Sequence, residues 1–291
     1  MSKENFEIPQ ADDLVGIPSG EENLKPKIVE NLEEIFRKFR GGRIEDLEIN
    51  KSERDIELID IANKAVSEYL TKYGRGKNLI IPIENIHLLK EGGTEKFTDG
   101  IFIGGAHSTL YGSIVIDRMK SDVDCVLRLF HELFHTKSYQ AIQLTTAEKP
   151  EKRKLDTYRS GFSVTSRDGS ITYFKDVEEA VIGYMTKKFY HEVLSKEKSF
   201  SEEISRLTSE GKEPDFSRAV EQERGMKLVD EIYKVNRDSF KNKEEIIDLF
   251  VEAQVTGKLM KVGRLIEKTF GKGSFRKLGK GELKVEKHEL E

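Results

Sequence analysis

Across residues 122–139 the chain places Val123, Val126, Leu127, Phe130, Leu133 and Phe134 three and four residues apart. That spacing is the period of an α-helix with one apolar side. Ser121 stands where a hydroxyl caps the first turn. The same helix carries the string His131-Glu132-Leu133-Phe134-His135. Four residues make one turn plus about 40°, so both imidazoles face the same region of space. Whatever fold forms must accept a helix that packs one side while two imidazoles and a carboxylate converge beside it.

Neutral imidazole nitrogen suits Zn²⁺, and one further protein ligand would leave a fourth position open to water. Glu132 adjoins His131 and can lean toward that position, where it could take a proton from water whose pKa the ion lowers to about 7. Chance placement of H-E-x-x-H in a chain of 291 residues with 6 His is expected on the order of 0.01 times.

Around this helix the sequence changes period. Residues 21–40 and 52–73 have helical spacing, the first stopped by Gly41-Gly42, the second opened by Ser52 with Asp55 in its first turn and ended by Gly74. Short apolar runs at 79–81, 86–89, 101–103 and 113–117 predict strands, with the Gly-rich segment GGAHSTLYG between the last two. Residues 140–155 read as a charged loop. A hairpin is expected around Arg167-Asp168-Gly169, then a helix over 177–194 capped by Asp176. Further helices are expected at 200–209, 216–235, 242–255 and 258–269. The expected organisation is an extended arm (1–20), a helical segment (21–75), a core bearing the motif (76–199), a second helical segment (200–270) and a basic tail (271–291).

Composition narrows the function classes. The net charge of −4 argues against a general polyanion binder, so no nucleic-acid partner is expected. Residues 257–291 carry 10 basic and 5 acidic groups, which reads as a solvated helix and terminus. One Cys excludes an internal disulfide framework and fits a reducing compartment. No apolar run has the length of a signal peptide or a membrane span, so the expectation is a cytoplasmic protein with no membrane partner.

The motif and its setting resemble the zincin metallopeptidases, in which the HExxH helix packs beside a small sheet whose edge strand binds extended substrate. The metzincin pattern fails, because Ser138 and Ala141 stand where it needs Gly and His. The gluzincin pattern, with a third ligand from a Glu on a later helix, is met by Glu179-Ala180. The resemblance thus implies an α+β, mainly helical fold, one zinc ion held by His131, His135 and Glu179, and Glu132 as general base in hydrolysis of a peptide or protein substrate. Glu178 is the rival ligand. The Asp that thermolysin-like members carry one turn after the ligand Glu is Gly183 here, a residue that permits close helix approach. What orients the two imidazoles is left open, as is the donor that stabilises an oxyanion.

Tyr158, Arg159, Tyr184 and His191 are weighed as such a donor and read as structural. His107 reads as a solvated turn residue and Cys125 as a small core residue. The alternative to an enzyme is a regulatory or partner-binding protein that keeps a metallopeptidase-like core with little or no turnover.

Overall fold

Two of the long helices begin where the sequence supplies a serine cap. The computed structural model describes residues 12–16, 44–75, 80–98, 100, 104–108, 112–146, 154–216 and 218–285. The expected helix over 21–40, the strand at 101–103 and most of the arm 1–20 lie outside them. Helix α1 (Glu53–Lys72) opens at Ser52, whose hydroxyl accepts the Asp55 N–H while the Asp55 carboxylate accepts the Ser52 N–H at 2.9 Å. Asp55 is therefore half of a reciprocal capping box as well as an acid in the first turn. After the short α2 (Gly93–Phe97) comes α3 (Asp122–Lys137), where the Ser121 hydroxyl accepts the Asp124 N–H at 2.9 Å.

The chain is α+β and mainly helical, with two small mixed sheets. In the order β1 (Asp13–Val15), β5 (Gln140–Leu144), β6 (Leu155–Ser160), β7 (Ser163–Thr165) and β8 (Thr172–Tyr173), one sheet is antiparallel apart from its β1–β5 pair. The other runs β2 (Ile86–Leu89), β4 (Ser113–Asp117), β3 (Gly105–Ser108), with β2 parallel and β3 antiparallel to β4. Two expectations change here. Of the stretch expected as a loop over 140–155, the described residues 140–144 form β5, which pairs on both sides, and Leu155 opens β6. The Gly-rich segment is not only a connection either, since it supplies β3, an edge strand with His107 opposite Ile114.

Helix α3 packs against α1, β3, β4 and α4 (Lys175–Glu192). Its apolar stripe is buried as the spacing predicts, and Phe130 joins three helices by stacking on Phe189 at 4.4 Å and meeting the Tyr69 ring edge-on. Its polar side is buried too, through His131, Glu132, His135, Thr136 and Lys137. Polar groups out of water must find partners, so this helix carries a demand that solvent does not meet.

The remaining helices are α5 (Ser201–Ser209), α6 (Ala219–Val235), α7 (Lys243–Thr256), α8 (Met260–Phe270) and α9 (Ser274–Gly279). Helix α9 lies in what reads as a solvated tail, yet it docks. Gly279 receives the Phe174 N–H on its carbonyl at 2.7 Å and presses on the Phe174 ring. Phe174 itself, at φ 62, precedes α4, so Asp176 is inside the helix and is not its cap. Gly183 does allow a close approach, but by α6 through Gln222. Among the described residues no helix is long and apolar enough to cross a membrane.

Lys137 answers part of α3's demand in an unusual way. Only 1% exposed, its ammonium donates to the Asn63 carbonyl at 3.2 Å, Asn63 Oδ1 at 2.7 Å and Ser67 Oγ at 3.3 Å. None of these acceptors is charged, and burial pushes the amine down to about 7. Between pH 7 and about 10.4 the unfolded chain then binds more protons at this group than the folded one, so stability rises with pH across that window. Chemical denaturation at pH 7 and pH 9 should show this rise in the wild type, at most about 1.4 kcal/mol per pH unit. Lys137→Met should lose it.

Candidate metal centre

The one-turn spacing on α3 brings His131 Nε2 and His135 Nε2 to 3.2 Å. Helix α4 supplies the third group, with Glu179 Oε2 at 3.3 Å from His131 Nε2 and 3.7 Å from His135 Nε2. All three side chains are buried. In a tetrahedral zinc site with bonds of about 2.0–2.1 Å, ligand atoms lie roughly 3.3–3.4 Å apart. The triangle observed is close to one face of such a tetrahedron. Glu179 Oε2 is buried and makes no hydrogen bond, although Arg218 Nε approaches within 3.1 Å. A buried oxygen left without a hydrogen bond at the centre of two imidazoles fits a cation ligand.

The two acidic candidates therefore take different places. Glu178 points away from the triangle and accepts from His135 Nδ1 at 3.0 Å. A carboxylate can only accept, so Nδ1 carries a proton, and Nε2 is the nitrogen that would offer its lone pair to a bound cation. Glu178 is itself held, at Oε1 by Ser160 Oγ and Gln254 Nε2, both at 3.3 Å, and at Oε2 by the Ser163 N–H at 3.2 Å. Gln254 comes from α7, far along the chain, and its own Oε1 accepts the Phe162 N–H at 2.9 Å. This is the orienting layer that the motif leaves open. Among the described residues His131 has no counterpart, its Nδ1 being buried without a hydrogen-bond partner.

Glu132 lies on the other flank, against β3. An added Cβ at Gly105 would sit 2.8 Å from its Oε1, so the strand approaches this closely only because residue 105 is glycine. His107 Nδ1 is 3.4 Å from Glu132 Oε2, and its ring stacks on His135 at 4.4 Å with 12° between planes. His107 Nε2 lies 3.4 Å from Ser160 Oγ. The solvated-turn reading of His107 is thus wrong, because the residue bridges Glu132 to the hydrogen bonds behind His135. Nothing in GGAHSTLYG distinguishes such a strand from a turn, although its glycines do signal close approach.

The charges fit the same reading. Burial disfavours the ionised Glu132, but the His107 hydrogen bond and the imidazoles of His131 and His135 outweigh it and hold the carboxyl at about 2. Burial also opposes ionisation of Glu178 and Glu179, and the imidazoles again prevail and lower both. Burial disfavours the His135 cation, yet the Glu178 and Glu179 carboxylates push it up to about 10. Three carboxylates packed around two imidazoles make a strongly negative, buried cluster, and without a cation His135 answers it by holding an extra proton at neutral pH. A divalent cation would balance it without asking an imidazole to hold an extra proton.

Arg159 donates to the Gly161 and Gly257 carbonyls at 2.8 and 2.7 Å, and Tyr184 to Glu244 at 2.6 Å, which are structural contacts. His191 packs against the Tyr190 and Phe216 rings, and Cys125 is buried. No family model matches the chain, and neither a curated protein nor a solved structure does.

Proposed function

We propose that this chain is a zinc-dependent metallopeptidase with a zincin-like core. The observation that carries the reading is the convergence of His131 Nε2, His135 Nε2 and the hydrogen-bond-free Glu179 Oε2, with the Glu132 carboxylate on the adjoining turn. These residues would hold one zinc ion, which when bound supplies Lewis acidity that lets water give up a proton near neutral pH. Glu132, ionised at neutral pH, takes that proton and returns it to the leaving amine. His107 restrains the Glu132 carboxylate from the strand side, and Glu178 fixes the His135 tautomer. Among the described residues strand β3 is the edge of its sheet, and it lies along Glu132, so its backbone suits pairing with an extended peptide.

The test is elemental analysis and turnover of a mixed peptide library by the wild type and by Glu132→Gln. The wild type should carry one zinc per chain and cleave peptides. Glu132→Gln should keep the zinc and lose turnover by about 10²–10⁴-fold. A wild type that takes up no zinc overturns the reading. So does a zinc-loaded wild type whose cleavage Glu132→Gln leaves unaltered, and one that cleaves nothing favours the regulatory alternative.

A further inference from the structure

Arg218 is a charged group at this site that the proposed chemistry does not yet use. Its Nε is 3.1 Å from Glu179 Oε2 but makes no directed hydrogen bond there, while its side chain is 42% exposed against 10% for Glu179. The guanidinium thus reaches from solvent to the triangle of candidate ligands. Its backbone is unusual as well. Arg218 sits at φ 55, immediately before α6, with no capping hydrogen bond from its side chain. A left-handed arginine costs about 1–2 kcal/mol, and such strain persists only where the surroundings hold it.

The surroundings do hold it. Helix α6 lies tightly on α4, where an added Cβ at Gly225 would meet the Ala180 Cβ at 2.8 Å and one at Gly183 would meet Gln222 at 2.6 Å. Just before Arg218, Asp215 is tied to α3 by its N–H to Asp124 Oδ1 at 2.9 Å and by its carboxylate to Arg128 at 3.2 Å. The segment is fastened to both helices that supply the triangle.

We propose that Arg218 is the anion-binding residue of this site. It places its guanidinium against the substrate carbonyl oxygen that becomes negative as water adds, and so supplies the missing oxyanion donor. This rests on the zinc reading. With a dication beside Glu132, Glu178 and Glu179, one excess negative unit remains, which Arg218 cancels. An added oxyanion then meets a neutral site with a planar donor fork at its rim, the geometry that suits tetrahedral oxyanions.

The test uses inorganic phosphate, a tetrahedral anion, on the full chain loaded with Co²⁺ in place of zinc, read from the visible absorption of cobalt. Variants are Arg218→Gly, which suits the left-handed backbone, and Arg218→Lys, which keeps charge but not the fork. All three proteins should bind one cobalt with equal affinity. Phosphate affinity should fall tenfold or more in Arg218→Gly and less in Arg218→Lys. Equal phosphate affinity in all three overturns the proposal. So does weaker cobalt binding in Arg218→Gly, since that would mean Arg218 merely holds Glu179. A wild type that takes no cobalt overturns the metal reading beneath it.

Discussion

Glu179→Ala should leave the protein without stoichiometric zinc, whereas Glu178→Ala should keep zinc at an affinity lowered ten- to a hundredfold. The difference follows from where each carboxylate points. Glu179 Oε2 lies 3.3 and 3.7 Å from the two Nε2 atoms. Glu178 Oε1 lies 3.0 Å from Nδ1, on the far side of the His135 ring. Removing Glu179 leaves two imidazoles, one ligand short of the three that a site with an open position for water needs. Removing Glu178 leaves the triangle whole but frees His135 to turn or to change tautomer. Thermal melts give a second readout. A ligand that binds only the folded chain at about a thousand times its Kd adds roughly 4 kcal/mol of stability. A chelator should therefore lower the Tm of the wild type clearly and that of Glu179→Ala hardly at all. Should Glu178→Ala lose the zinc and Glu179→Ala keep it, the two roles are reversed.

Neighbouring acids on one helix show where sequence reasoning stops. Residues 178 and 179 are 100° apart in azimuth, and both face buried surroundings because α4 is covered on several sides. Local spacing cannot rank them; the docking of β7 and α7 does, by bringing the Ser163 N–H and the Gln254 amide to Glu178. The histidine helix is legible because its period is intrinsic. Strands β5 and β6 are not, since QAIQL and LDTYRS mix polar and apolar residues without clear alternation and stand beside a charged stretch. Arg218 gives no signal at all: one arginine in a charged segment becomes notable only through its backbone angle and its neighbour.

Gly161→Ala is expected to cost the fold more than Gly74→Ala, and to weaken zinc binding as well. Gly161 follows β6 at φ 54, and its N–H donates to the Tyr139 carbonyl at 2.7 Å. An added Cβ would lie 2.0 Å from Gln254 Nε2. That amide has nowhere to retreat, since it is fully buried and also donates to Ser138 Oγ at 3.2 Å and Glu178 Oε1 at 3.3 Å. Two penalties combine, the left-handed backbone and the displaced amide. Gly74→Ala isolates the first, because Gly74 has φ 86 with nothing within 4 Å of an added Cβ. Denaturant titration should show a loss of about 1–2 kcal/mol for Gly74→Ala. Gly161→Ala should lose about 3 kcal/mol or more, in the range of core disruptions. Gln254→Met removes the amide without crowding Gly161, so it should stay folded and still bind zinc less tightly. If Gly161→Ala matches Gly74→Ala in stability, and Gln254→Met binds zinc as the wild type does, then α7 does not brace the centre. The hold on His135 would then end at Glu178.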